Sequence, residues 1–413
     1  VVLCCTGAEA LYADRGHFGA FPIRLSWFSI VLPAVMLSYL GQAARILTHP
    51  GSVNSASFNP FFQLVPHGLL LPFVVLSTMA TIIASQAAVT GSFSVAKQAL
   101  SLGLLPRIRL VHTSNLEGQI YVPVINWLLA AGVIALVLVF HSSNSLGDIY
   151  GVAVTATFAL NTVLFLCVAR SLWRAPRWRL ALLGAVLLTV ELAFFSSNMA
   201  KVADGAWLSL AVGLLVAFVM ITWRRGAAIV TRNRNRAEGS LEAFLQDVRT
   251  ADPPVMRLPG TAIFVAPGKT TTPLALRTLV RCNHAMHERI VIVSVHPVAI
   301  PHVDRRDRFV EAPVGSGPLK LVHVVINAGY RDAWHVPAAL ALARKQGVLA
   351  RNLDLEHASY FVSRMKIVAT GAPGMAGWRK RMFVALARNA ASPVDAFGLA
   401  AERTVVTSSE VPI

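Results

Sequence analysis

The run GAWLSLAVGLLVAFVMITW (Gly205–Trp223) is followed at once by Arg224-Arg225 and then by TRNRNRAEG (Thr231–Gly239). Gly205–Trp223 carries no charge, and as a helix it is about 28 Å long, close to the thickness of a bilayer's hydrocarbon core. The arginines at 224, 225, 232, 234 and 236 cannot follow it into hydrocarbon. This stretch therefore divides the chain into an apolar part before it and a basic, water-facing part after it. The charge count agrees. Residues 1–223 hold 11 Lys/Arg and 6 Asp/Glu, whereas residues 224–413 hold 26 and 14, so the net charge of +17 is split +5 and +12. With 55% hydrophobic and only 14% charged residues over 413, a single water-soluble globule is excluded. A basic balance of this size invites a nucleic-acid reading. Arginines beside apolar spans point to a membrane surface instead.

Upstream, five more stretches are apolar enough to cross a bilayer, near 25–47, 68–89, 121–140, 149–169 and 180–195. With 205–223 they make six spans, and a shorter apolar run precedes them at 1–14. The loops alternate in charge. Loops 48–65 and 141–148 have no Lys or Arg and 198–204 has one, Lys201. Loop 93–120 has Lys97, Arg107 and Arg109, and loop 170–179 has Arg170, Arg174, Arg177 and Arg179. Because cytoplasmic loops carry the excess of Lys and Arg, residues 15–24, 93–120, 170–179 and everything after 223 are expected in the cytoplasm. Residues 224–239 read as a basic linker. Residues 240–413 read as an α/β domain with a partly parallel sheet: strands over Thr261–Ala266, Arg289–His296 and Leu319–Asn327, helices over Pro273–Cys282, Val336–Lys345 and Trp378–Asn389. Cys4, Cys5, Cys167 and Cys282 have no paired spacing, so no disulfide framework is expected. The chain opens Val1-Val2-Leu3 without Met or a basic n-region; it shows no signal peptide and reads as entered in the middle.

The most chemical stretch is TGAEALYAD (Thr6–Asp14), followed by GHFG (Gly16–Gly19). Thr6 and Glu9 are three apart and share a helix face. Gly7 permits the helix to unwind, freeing carbonyls as hard oxygen ligands. A carboxylate at membrane depth costs roughly 2.5–3.5 kcal/mol, so it persists where it faces an ion, a cavity or a partner. Two readings stay open on the residues alone: a cation or proton site in a broken helix, and a helix end that Glu9 caps at the interface.

The run TGAEALYADRGHFGAFPIRLSWF, with NPFFQLVP, MATIIASQAAVTGSFSVAKQALSLGLLPR, HTSNLEGQIYVPVINW, GDIYGVAVTATF and RMFVALARNAASPVDAFGLAAERTVV in order, resembles the Kup/HAK/KT family of potassium uptake permeases. That resemblance covers nearly the whole chain. It implies a polytopic α-helical membrane protein of the amino acid–polyamine–organocation inverted-repeat fold with a cytoplasmic α/β domain, in which this chain starts inside the sixth helix and the first five are absent. It implies a potassium site using Thr6 and Glu9 around Gly7, proton-coupled symport in a bacterial inner membrane, and no resident cofactor. Tyr12 and Asp14 are expected only as secondary candidates for the site, Asp14 lying at the cytoplasmic edge. The family's site also draws on the missing helices, so the 413 residues alone are expected not to transport. Met365 and Ala156 depart from the family pattern, as does a shorter loop at His112-Thr113-Ser114.

Glu191 in the fifth span has two readings, a proton-linked carboxylate and interface pairing, the second being the plainer. Thr155, Thr157 and Asn161, like Ser85, Gln86 and Thr90, suit helix bridging better than ion binding. His17 reads as a solvated loop residue. Gly268-Lys269-Thr270 lacks the earlier glycine of a Walker A loop, its place being Ile263, and Cys282, His284 and His287 lack a fourth zinc ligand. Trp378 with Arg379, Lys380 and Arg381 opens an amphipathic helix suited to anionic lipid or to plain solvation. No nucleophile–base pair supports an enzyme. The alternative function is a membrane-anchored regulatory module whose α/β domain binds a nucleotide; some relatives are similar in binding a cyclic dinucleotide there. Membrane lipids are expected partners and nucleic acid is not; a homodimer is one assembly open to the chain, whose oligomeric state the sequence does not give.

Overall fold

The computed structural model describes residues 19–49, 59–106, 108, 110–112, 120–140, 143–200, 202–266, 268, 271–298, 300, 302–304, 306–313, 320–329, 332, 335–350, 353–370, 374–388 and 397–413. Two compact units divide within one helix, at 217/218, and residues 102–108 group with the second.

In the first unit, helix α1 (Ala20–Thr48) contains a wide turn at Trp27–Val31. Pro33 lies just beyond it; its missing N–H and the clash of its ring with the carbonyl four residues back are absorbed by that looser turn. No residue of α1 is buried. Helix α2 (Leu70–Ser101) follows a single turn at His67–Leu69 and buries only Phe93, Ala96 and Ala99, all near its end. Several of its hydroxyls bond back to their own helix: Ser77 to Phe73, Thr78 to Val74, Thr81 to Ser77 and Thr90 to Gln86. This satisfies them without a partner helix.

Helix α3 (Pro123–Val139) has 17 residues, fewer than the span expected at 121–140. Pro123 fixes its start and Phe140 leaves helical geometry, so it measures about 26 Å. Among the described residues, five helical segments of 18 residues or more are apolar enough to cross a membrane, Ala20–Thr48, His67–Ser101, Ile149–Ser171, Arg177–Met199 and Trp207–Glu238, and α3 is a shorter apolar helix beside them. Helices α4 (Ser143–Ser171) and α5 (Arg177–Met199) pack closely. Gly184 lets Leu166 approach to where an added Cβ would stand 2.9 Å from its Cδ1, and Gly151 lies similarly against Asn198. Helix α6 (Trp207–Glu238) is entered through Gly205, at φ +116°, beneath the ring of Phe140. The basic segment 224–239, expected as a linker, is helical through Glu238. Arginine is a good helix former, and charge alone does not break a helix.

The second unit is a six-stranded sheet flanked by helices. Its elements are α7 (Leu241–Arg249), β1 (Met256–Val265), α8 (Leu274–Asn283), β2 (Ala285–Val298), β3 (Phe309–Pro313), β4 (Lys320–Gly329), α9 (Val336–Lys345), β5 (Ser359–Val368), α10 (Gly377–Arg388) and β6 (Thr404–Pro412). Strand order is β3-β4-β2-β1-β5-β6, parallel except for β3 against β4. Central β1 alternates between two apolar layers. Ala262 and Phe264 face α7 and α8 with Leu245 and Leu276, while Ile263 faces α9 with Leu340 and Ala343. The chain leaves β1 for β2 on one side and returns to β5 on the other, so the sheet order reverses beside β1. A third core joins Phe383 of α10, Val230 of α6, and Val411 and Ile413 at the chain's end.

Candidate functional site

Of the residues expected to hold or couple a cation, Thr6, Gly7, Glu9, Tyr12 and Asp14 lie outside the described residues, as does His17. Glu191 is described, and it has a partner that the sequence reading overlooked. Thr162 Oγ1 on α4 donates to Glu191 Oε1 on α5 at 2.7 Å. Thr162 is buried, and the other oxygen, Oε2, is shielded from solvent with no hydrogen-bond partner among the described residues. An ionised carboxylate accepts only, so one oxygen is satisfied and the second is open to a proton, a cation or another donor. Thr162 stands seven residues after Thr155, two helical turns along one face, and that spacing was the signal available.

The hydroxyls of Thr155 and Thr157 are already engaged. Thr155 donates to Gly151 O at 2.9 Å and Thr157 to Ala153 O at 2.9 Å. They bridge to their own backbone rather than to a neighbouring helix. Asn161, Ser85 and Gln86 are exposed on the helix surfaces. The chemistry within the described membrane helices therefore concentrates at Glu191.

In the second unit, Gly268 follows the end of β1 at Val265. Ser294 Oγ donates to Ala266 O at 2.7 Å and lies 3.0 Å from Gly268 O. His323 Nε2 lies 2.9 Å from the same hydroxyl; as serine has one proton to give, the imidazole donates. Ser294 thus ties to Ala266 and Gly268 and is not a free nucleophile. Lys269 and Thr270 lie outside the described residues. The three residues weighed as zinc ligands also separate. Cys282 is exposed, His284 Nε2 lies 2.8 Å from Pro253 O, and His287 packs edge-on to Phe361. Burial holds the His287 imidazole below its ordinary pKa of 6.5, which keeps it neutral.

Asp332 ties the end of β4 to His302 and Val303. Its Oδ2 accepts from Gly329 N at 2.9 Å and Val303 N at 3.3 Å, and its Oδ1 lies 2.9 Å from His302 Nδ1. Burial opposes its charge, but these bonds and the Arg308 guanidinium prevail and hold the carboxyl below its ordinary value. Where α10 meets α6, Arg379 Nε and Nη2 donate to Thr222 Oγ1 at 3.2 and 3.1 Å, and Trp378 stacks on Phe218.

Comparison with known proteins covers both parts of the chain. A family model described as "K+ potassium transporter integral membrane domain" matches residues 1–228, and one described as "K+ potassium transporter C-terminal domain" matches residues 259–413. The chain is 45% identical over 417 residues to "Probable potassium transport system protein Kup" of Rhodococcus jostii, covering 100% of this chain and 62% of that protein. Proteins of the same name in Cutibacterium acnes and Thiobacillus denitrificans are each 42% identical, with 63% and 64% of their lengths covered. The chain thus spans under two thirds of these relatives. Its relatives are named as transport proteins, not enzymes. Apolar helices of spanning length, a C-terminal α/β domain and both family matches lead to one assignment: the chain belongs to the K+ potassium transporter family.

Proposed function

We propose that this protein takes up potassium across a bacterial plasma membrane by symport with protons. The observation that carries the reading is the identity of 45% across the whole chain to a protein named for potassium transport. The chemistry of the sequence supports it. Thr6, the carbonyls freed at Gly7 and the carboxylate of Glu9 are hard oxygen donors suited to an alkali cation, with Tyr12 and Asp14 nearby in sequence. A carboxylate whose protonation depends on a neighbouring cation is what proton coupling requires. Glu191, with one oxygen held by Thr162 and the other unpartnered among the described residues, is the second candidate for that proton. In this reading the helices follow the inverted-repeat plan of the amino acid–polyamine–organocation transporters. Lipid surrounds the apolar helix faces, and the arginine-rich loops with the α/β domain lie in the cytoplasm.

A regulatory role for the α/β domain is the second reading. It is favoured by the reversal of sheet order beside β1, since open parallel sheets take ligands at such switch points. A cyclic dinucleotide is the ligand class assigned to it. The test of the transport reading is growth at low potassium of a strain lacking its own uptake systems. The complete native gene is expected to restore growth and these 413 residues alone are not; no rescue by the native gene refutes the reading.

A further inference from the structure

Helix α6 runs from Trp207 to Glu238, and its apolar span gives way to Arg224-Arg225 within it. The residues from Phe218 onward belong to the second unit, and there the first turn of α10 is pinned to α6. Trp378 stacks on Phe218 with ring centroids 5.4 Å apart and planes 12° from parallel, and the Arg379 guanidinium carbon lies 5.3 Å from the centre of the same ring. Arg379 donates twice to buried Thr222, and one turn later Phe383 packs 4.9 Å from Trp223. Phe218 precedes Trp223 by five residues, about 7.5 Å along the helix axis towards the hydrocarbon. The start of α10 therefore stands at the depth of the last apolar turns of the span. Its indole is nonetheless 60% exposed.

We propose that this turn is a membrane-interface foot that binds the phosphodiester of an anionic lipid headgroup through Arg379, with Arg381 and Arg225 completing the basic rim. Guanidinium has five donors, and Thr222 accepts from two of its nitrogens. No carboxylate pairs with Arg379, Arg381 or Arg225 among the described residues. A half-buried guanidinium without a counter-ion favours an anion with forked oxygens, which a phosphate supplies. Arg225 is exposed one turn beyond Thr222, and Arg381 is exposed on α10. An exposed indole beside a transmembrane helix is the arrangement of an interfacial aromatic anchor. The depth of Phe218 selects lipid over free phosphate or an acidic peptide, because hydrocarbon is what surrounds the helix there. The inference rests on the membrane reading of α6 and not on which ion is carried.

The experiment uses the whole protein in nanodiscs of phosphatidylcholine with and without phosphatidylglycerol. One readout is the quenching of Trp378 by bromine-labelled acyl chains, taken as the difference between wild type and Trp378→Phe. The other is the phosphatidylglycerol retained on the purified complex. Each arginine near an anionic surface is worth about fivefold in lipid partition, so Arg379→Gln with Arg381→Gln is expected to lower retention roughly 30-fold. Arg381→Gln alone changes only an exposed side chain and is expected to lower retention about fivefold. Trp378-dependent quenching is expected in both lipid mixtures and stronger in the anionic one. Absence of that quenching, as when a second copy of the chain or a protein partner covers the indole, overturns the proposal. So does equal retention by wild type and the double variant.

Discussion

Replacing Gly226 by alanine sets two known effects against each other. Alanine is favoured over glycine by about 1 kcal/mol inside a helix, so on propensity alone the substitution strengthens α6. Packing opposes it. A Cβ at Gly226 would stand 2.7 Å from Phe383 Cε2 and nearer still to Cγ and Cδ2. The ring has little room to retreat: Phe383 is 1% exposed and in a cluster with Val230, Val411 and Ile413. Overpacking of this kind costs roughly 1–3 kcal/mol. Taking the upper part of that range for a ring so enclosed, the net is a loss of about 1–2 kcal/mol at the junction of α10 with α6. Hydrogen exchange reads it directly, as amides over 377–388 should lose protection about 5- to 30-fold in the detergent-solubilised protein. Phe383→Leu in the same chain should relieve the clash, making the double variant less destabilised than the sum of its parts. Unchanged or increased protection in Gly226→Ala, or strict additivity in the double variant, would refute the packing argument.

Thr162→Val keeps the side chain's shape and removes the donor to Glu191. It should lower stability by about 0.6–2 kcal/mol, seen as a lower melting temperature in detergent, whereas Glu191→Gln should cost less because the amide oxygen still accepts. Equal melting temperatures for Thr162→Val and wild type would contradict the pairing. Asp332, held below its ordinary value of 3.8, contributes stability above that pH and loses it as pH falls through its lowered folded-state value. The stability gap between wild type and Asp332→Asn should therefore be constant near neutrality and close below about pH 4; a gap that widens in acid contradicts it. His287 works with the opposite charge. Its folded pKa lies below 6.5, so the unfolded chain takes up the proton first and stability falls as pH drops below that value. A proton NMR titration placing His287 at or above 6.5 would overturn this.

The membrane spans were legible because hydropathy over about 20 residues records the solvent the helix meets. Span ends were less so: Pro123 and Phe140 shorten α3, and the helix through Arg224–Glu238 continues where charge suggested a linker. Strands β1, β2 and β4 announce themselves as apolar runs since both faces are covered. Strand β5 carries Ser363, Arg364 and Lys366, and edge strand β6 carries Thr404, Thr407, Ser408 and Ser409, so neither shows such a run. At the candidate site, the TGAE segment is proposed from chemistry and resemblance and lies outside the described residues. The Thr162–Glu191 bond joins residues 29 apart on different helices, and the stack of Trp378 on Phe218 joins residues 160 apart. Such pairings depend on tertiary packing, which local periodicity does not encode.

In the proposed function, the Glu9 carboxylate of the TGAE segment couples cation entry to a proton. Rubidium influx measured against external pH, in cells carrying the full-length native protein or its Glu9→Gln variant, tests it most directly. Influx is expected to rise as external pH falls in wild type, and pH-dependent uptake is expected to be lost in Glu9→Gln. Undiminished influx with the wild-type pH profile in that variant would contradict it.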